Sequence, residues 1–320
     1  MAGKLALVLS GGGAKGAFQV GVLDELITNR GVEVDTVVGV STGALQALGV
    51  AQKEVPRLLA EWLAIKGNSD IYRKRPLGAV GGFLGADAIY NTKALRRLIE
   101  RVTDEARLRT SGIRMLAGVV NLGTGEFKTI SEQTPRIHEW VYASCAMPLF
   151  FDPHETVDAS GVKQQWVDGG VRNVTPLSAA LDFDPDAVLV VRASPRPRAG
   201  PPRTFPNLIK IGLRAVDILQ AEVSANDTEV AELINDLLVA RDAQKAAIAA
   251  AGISGPAADA ILKPLQEKIR KYHFAPIHVI EPDVEFSDTL EFDPGRIRAA
   301  IAAGRKAAAD NFPALAALLS

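Results

Sequence analysis

Three short motifs in this 320-residue chain carry groups suited to chemistry. Gly11-Gly12-Gly13-Ala14-Lys15-Gly16 lies between the apolar run Leu5-Ala6-Leu7-Val8-Leu9 and a helical pattern. Glycines there let a ligand approach the main-chain amides, and the helix start adds partial positive charge, so the turn suits an anion. Gly39-Val40-Ser41-Thr42-Gly43 is a G-x-S-x-G sequence at a strand-to-helix junction, where small neighbours permit a sharp turn that projects a serine hydroxyl. Its plainer reading is a tight turn in which Ser41 caps the next helix. Trp166-Val167-Asp168-Gly169-Gly170 ends an apolar strand in a carboxylate on a bare turn, able to approach another loop. Out of context, Asp168 is an ordinary acidic turn residue.

The glycine turn admits three readings. A P-loop needs Lys and then Ser or Thr after its last glycine, but Gly16 is followed by Ala17-Phe18, which excludes it. Gly11, Gly13 and Gly16 satisfy the dinucleotide pattern G-x-G-x-x-G, yet the acidic residue at a suitable distance, Asp35, falls at the start of the next strand, at the wrong edge of a parallel sheet. The third reading is an oxyanion hole, with amides aimed at charge developing on a carbonyl oxygen. It needs a nucleophile nearby, and loops following adjacent parallel strands share the carboxyl edge, which puts Ser41 beside the glycines.

A serine hydroxyl needs a base. Asp168 followed by His273 or His278 fits the order of a Ser-Asp-His triad, but Ser41 follows only the second strand and neither histidine sits in a catalytic-looking loop. His138 and His154 read as ordinary histidines. Asp168 acting directly is the better candidate, provided it is sheltered from water, which raises its basicity.

The elements that must hold these groups follow from periodicity. Strands are expected at 5–9, 34–40, 113–121, 126–131, 162–167, 187–193 and 276–280, and helices at 14–28, 42–51, 56–66, 91–101, 135–145 and from about 294 to 309. The βαβ opening predicts a mostly parallel sheet covered by helices, a three-layer α/β/α architecture. Residues 207–272 read as helical, broken near Gly252 to Pro256, with an apolar face (Leu208, Ile211, Leu219, Val230, Leu233, Leu237) that must pack on something. This segment either packs on the core or caps it within one domain spanning 1–320. The stretch 67–90 is loop-like, and the Pro-rich segment 194–206, with Arg192, Arg196, Arg198 and Arg203, reads as a solvated connection.

Composition narrows the function classes. Hydrophobic residues make up 48% and charged residues 23%, as in an ordinary globular protein. A net charge of −1 supplies no whole-molecule field for nucleic acid, so no nucleic-acid partner is expected. Cys145 is the single cysteine, which excludes an intrachain disulfide and a Cys-based zinc cluster and suits a reducing compartment. The apolar run at the N-terminus is too short for a signal segment, and no stretch of about 18 apolar residues occurs, so a cytoplasmic protein with at most peripheral membrane contact is expected. No metal or other cofactor is expected, since no ligand cluster is visible.

Taken together, the glycine turn 11–16, the elbow 39–43 and Asp168-Gly169-Gly170 resemble, in order and spacing, the motifs of the patatin-like phospholipases of compact bacterial type. Ala143-Ser144-Cys145-Ala146-Met147-Pro148 is similar to that family's helix-ending segment, and Phe292-Asp293-Pro294 with Gly304 to the tail of bacterial members. The resemblance spans roughly 5–193. It implies the patatin-like fold and a Ser-Asp dyad acting on lipid esters: Ser41 as nucleophile, Asp168 as base, and the amides around Gly11, Gly12 and Gly13 as oxyanion hole. Lys15, Gly16, Gly39, Gly43, Gly169 and Gly170 would support them; Lys15 stands where many members carry arginine, keeping charge without bidentate geometry.

The implied substrate is a phospholipid, lysophospholipid or related ester. Arg73-Lys74-Arg75, followed by Leu77, Ala79, Val80, Phe83 and Leu84, suggests a rim for anionic headgroups beside an acyl pocket. A non-hydrolytic acyl- or nucleotide-binding protein on the same fold is the alternative from another class.

Overall fold

The computed structural model describes residues 3–75, 87–196, 204–270 and 272–319. Its strands are β1 (Leu5–Leu9), β2 (Thr36–Val40), the two-residue β3 (Arg73–Lys74) and β4 (Tyr90–Asn91), β5 (Arg114–Asn121), β6 (Phe127–Ser131), β7 (His154–Val157), β8 (Lys163–Asp168), β9 (Ala187–Val191) and β10 (Ile277–Ile280). The helices are α1 (Ala17–Leu23), α2 (Thr42–Ala51), α3 (Val55–Ala64), α4 (Lys93–Val102), α5 (Glu105–Thr110), α6 (Ile137–Ser144), α7 (Leu177–Leu181), α8 (Leu208–Ala250), α9 (Pro256–Ile269) and α10 (Pro294–Leu319). Strands β10, β9, β1, β2 and β5 run parallel in that order, whereas β6, β8 and β7 join antiparallel. The central strands are continuous apolar runs because both faces are covered. Leu5, Leu7 and Leu9 point into a large core with α1, α2, α3, α4, α6 and α10, while Ala6 and Val8 point to a smaller one with α7 and Ala231 of α8. Thus the expected three-layer α/β/α arrangement with a helical C-terminal segment is observed.

One detail of register positions the site. Gly118 of β5 pairs with Val40 of β2 and Thr129 of β6, and the next residue, Val119, pairs with Asp168 of β8 and Lys128 of β6. A strand residue has only two ladder edges, so β2 and β8 occupy the same edge of β5, opposite β6. They meet end to end, with the last residues of both at neighbouring positions.

At the other end of the chain, α10 crosses α1 with near backbone contact: a Cβ on Gly304 would lie 2.1 Å from the Phe18 carbonyl oxygen, and one on Gly21 would lie 2.0 Å from that of Ile301. Asp293 starts α10 by accepting the Arg296 N–H at 2.8 Å, with Pro294 in the first turn.

Three expectations are corrected. First, α8 docks in the reverse sense. Its inward side carries Asp217, Ser224 and Thr228 alongside Leu213, Ala231 and Leu238, whereas Leu208 is 78% and Leu219 65% exposed, and Ile211, Val230 and Leu233 are exposed too. The inward polar groups are satisfied: Ser224 shares a hydrogen bond with Thr175 at 2.7 Å, Asp227 accepts the Thr175 N–H at 3.1 Å, and Asn235 donates to the Ala275 carbonyl at 2.7 Å. Second, Arg192 is not in a solvated loop. It directly follows β9, is 1% exposed, and pairs with Glu281 at 2.7 Å. Third, α10 runs through Pro313 to Leu319, ten residues beyond the expected 309.

Of the arginine-rich segments, Arg73 and Lys74 are exposed on β3 and Arg75 pairs with Asp152 at 2.6 Å. Leu77, Ala79, Val80, Phe83 and Leu84, like Arg198 and Arg203, lie outside the described residues. The reversed docking of α8 has a direct consequence for stability. Leu219→Gln and Leu233→Gln are expected to leave unfolding in urea within about 0.5 kcal/mol of wild type. Leu238→Ala, on the covered side, is expected to cost ~2–4 kcal/mol; equal losses at all three positions would contradict the docking.

Candidate active site

Ser41 stands where β2 turns into α2, with φ 57° and ψ −126°, a backbone conformation disfavoured for a serine. The turn is tight because chains cross at contact distance. A Cβ on Gly39 would lie 2.2 Å from the Gly43 carbonyl oxygen, and a Cβ on Gly43 would lie 2.2 Å from that of Leu9. The end of α6 clamps the turn: the Ser41 N–H donates to Ser144 Oγ at 2.9 Å, the Ser144 hydroxyl donates to the Gly118 carbonyl at 2.7 Å, and the Cys145 thiol donates to the Ser41 carbonyl at 3.2 Å. The Ser41 side chain makes no capping bond to α2. It lines the same cleft as the Asp168 carboxyl and pulls that group's pKa down.

Asp168 closes β8 and is 2% exposed. Its N–H donates to the Ala146 carbonyl at 3.0 Å, and its Oδ1 accepts the Gly170 N–H at 2.7 Å. Burial pushes its pKa up to about 7, against the opposing pull of the hydrogen bonds from Gly170 and Ser41. Burial and the neighbouring Asp168 charge also push up the Cys145 thiol, which is therefore held as a neutral hydrogen-bond donor. The glycines after Asp168 have steric reasons. A Cβ on Gly169 would lie 2.5 Å from the Gly118 carbonyl oxygen, and one on Gly170 would lie 2.8 Å from Gln220 Nε2 of α8.

The glycine turn passes close by: a Cβ on Gly11 would lie 3.3 Å from that of Ser41. Its amides are not equivalent. The Gly11 N–H donates to the Val174 carbonyl at 3.1 Å and that of Ala14 to the Thr289 carbonyl at 2.8 Å. The N–H groups of Gly12 and Gly13 have no partner among the described residues. Gly13, at φ 57°, could not take a side chain, since a Cβ would lie 2.2 Å from the Thr289 carbonyl oxygen. Gly16 packs against Thr42 and Gln46. Lys15 does not reach for a ligand. It is buried between Glu285 at 3.1 Å and Asp217 at 3.4 Å, and Asp217 in turn accepts the Thr289 hydroxyl. Removing one member of such a buried group strands the others, so Lys15 fastens α8 and the 285–289 segment to the glycine turn.

Among the described residues, no histidine lines the cleft with Ser41 and Asp168. His138 faces Glu105 at 3.7 Å, and His154 stacks edge-on against Trp140 near Glu139. His278 lies on edge strand β10 bonded to Asn311 at 3.2 Å, and His273 is exposed. Asp35 sits at the opposite end of the sheet, where it accepts the Leu5 N–H at 2.8 Å. Among the described residues no group of three His, Cys, Asp or Glu side chains is placed to hold a metal ion.

Ser41 and Asp168 line a largely apolar cleft together with Gly13, Gln220 and Thr289. Ser144, Cys145 and Gln220 had no assigned role in the sequence reading. The first two stand in the segment 143–148, whose helix end and proline were noticed, but nothing in a long helical pattern marks Gln220.

The sequence pattern of the patatin-like phospholipases matches residues 7–181, more than half of the chain and the stretch that includes the glycine turn, Ser41 and Asp168. The chain belongs to this family. Two curated relatives are named cGAMP-activated phospholipase. The protein of Vibrio cholerae is 27% identical over 202 residues, 52% of this chain and 53% of that protein. The protein of Escherichia coli is 30% identical over 186 residues, 52% of this chain and 51% of that one. This patatin-like chain thus spans about half the length of those relatives. Among solved structures, VipD from Legionella pneumophila aligns over 97% of this chain and 66% of its own, with 18% identity and a TM-score of 0.46.

The raised pKa of Asp168 makes a stability prediction. The folded protein binds this proton more tightly than the unfolded chain, so wild-type stability falls as pH rises from about 4 to about 7. Asp168→Asn, which stays neutral, is expected to gain over wild type across that interval by a few kcal/mol and to keep the gain above it, measured by urea unfolding at each pH. A difference that does not vary with pH would contradict the burial of an ionisable Asp168.

Proposed function

We propose that this patatin-like protein is a serine lipid acyl hydrolase that cleaves carboxylic ester bonds of phospholipids, lysophospholipids or related esters through Ser41 and Asp168. The observation that carries the reading is a strained serine lining the same cleft as a buried carboxylate whose pKa is pushed up to about 7. A base with that pKa is half ionised near neutrality, where it can both take and return a proton.

The chemistry runs as follows. The ionised Asp168 accepts the Ser41 proton as Oγ attacks the ester carbonyl. Negative charge developing on the carbonyl oxygen is met by the open amides of Gly12 and Gly13, while the Gly11 amide, tied to Val174, holds the loop. Collapse of the tetrahedral intermediate expels the alcohol, which takes the proton from Asp168, and leaves an acyl-Ser41 ester. Asp168 then deprotonates water as its oxygen attacks the acyl carbon, and the proton passes to the departing Ser41 Oγ as the fatty acid is released. Another alcohol in place of water would give transacylation by the same route.

The reading extends to peripheral contact with lipid. Val171 is exposed three residues past Asp168, and Ile218 and Leu219 are exposed beside Gln220, with Arg214 one turn earlier on α8. An apolar patch with a cation at the cleft mouth suits a lipid–water interface.

Product analysis by mass spectrometry on a mixed lipid panel, run beside a water-soluble ester, tests both parts. Ser41→Ala is expected to abolish product from every substrate, a loss of about 10³-fold or more. Leu219→Glu is expected to lower the ratio of vesicle to soluble-ester turnover. Undiminished product from Ser41→Ala would refute the hydrolase reading, and an unchanged ratio in Leu219→Glu would refute the contact.

A further inference from the structure

The cleft that begins at Ser41 runs along one face of α2, whose residues Leu45, Leu48, Gly49 and Gln52 recur at helical spacing from the serine. Helix α3 presents Leu58 and Trp62 to it, and α4 presents Leu98, so three helices wall a groove that is apolar along its length. One rim and the far end change character. Glu61 of α3 pairs with Arg101 of α4 at 2.6 Å, Arg57 donates to the Arg101 carbonyl at 3.0 Å, and Glu54 pairs with Arg107. Glu54, Arg57 and Glu61 themselves line the cleft.

We infer that this groove is an acyl-chain site that measures length, with the reacting carbonyl at Ser41 and the terminal methyl short of Gln52 and the Glu54–Arg107 pair. The inference rests on Ser41 being the nucleophile. Ser41 and Gln52 cap the two ends of α2 eleven positions apart, which is roughly 16 Å of helix, and an extended chain advancing about 1.25 Å per methylene fills that with about a dozen carbons. A longer chain would push methylenes among solvated charges, which gains nothing from burial. Gly49 sits where the chain passes, about 12 Å from Ser41. The three atoms nearest a Cβ there all belong to Leu58, with Cβ and Cδ2 each at 3.1 Å, so glycine lets α3 pack closely on α2 beside the groove. A larger residue at this position must enter the groove or press Leu58, itself a groove wall, into it, and so shortens it. Up to the fence, each methylene that leaves water favours the longer ester by at most about fourfold in kcat/KM.

The test is kcat/KM across p-nitrophenyl butyrate, octanoate, dodecanoate and hexadecanoate. Wild type is expected to improve to dodecanoate and to fall at hexadecanoate. Gly49→Leu, and independently Leu98→Trp from the opposite wall, are expected to lower the dodecanoate-to-butyrate ratio by about tenfold or more and to move the optimum to octanoate or shorter. Because the readout is a ratio, general damage to the fold, which lowers both rates, does not imitate it. A ratio unchanged in both variants overturns the groove assignment while leaving Ser41 as nucleophile intact. If wild type turns over none of the esters and does not react with a fluorophosphonate, the nucleophile reading itself falls and the groove assignment with it.

Discussion

A single strand edge governs this molecule. β5 is longer than β2, and the part of its edge that β2 leaves uncovered is taken by β8 running the other way. Two strands that are far apart in the chain therefore end facing each other, at Gly118 and Val119. Ser41 follows the end of one and Asp168 is the end of the other, so ladder hydrogen bonds fix their separation rather than flexible loops. The glycines of both turns follow from the same constraint. Gly39, Gly43 and Gly169 lie where one backbone passes another with no room for a Cβ. The end of α6 then locks the junction, since Ser144 bonds both the Ser41 amide and the Gly118 carbonyl.

Burying a carboxylate in this junction is costly, and the structure offsets only part of the cost. The Asp168 carboxyl accepts the Gly170 N–H and is eased further by Ser41, and among the described residues no cation pairs with it; Lys15 is occupied by Asp217 and Glu285. That withheld compensation raises the basicity of the group. A cation contacting Asp168 would stabilise the fold and weaken the base, so stability and the proposed chemistry pull in opposite directions at this residue.

Much of this was legible in the sequence, for reasons that can be named. Buried parallel strands leave unbroken apolar runs such as Leu5–Leu9 and Ala187–Val191, and close backbone crossings leave glycines at fixed spacing around Ser41 and after Asp168. The direction in which α8 faces was not legible. Periodicity assigns an apolar stripe to the core, but this helix is docked by Asp217, Ser224, Asp227 and Asn235 finding partners, which only tertiary structure supplies. Arg192 was misplaced because its neighbours are prolines, while its partner Glu281 is 89 residues away. The unequal roles of the Gly11, Gly12 and Gly13 amides depend on a carbonyl at Val174, and no local pattern announces it.

The most direct measurement is the rate at which a fluorophosphonate labels Ser41 as a function of pH. With Asp168 as the base, the rate rises about tenfold per pH unit in the acid range and levels off around pH 7, and Asp168→Asn loses the reaction throughout. Labelling at a wild-type rate in Asp168→Asn, or a rate flat between pH 5 and 8, would contradict the account.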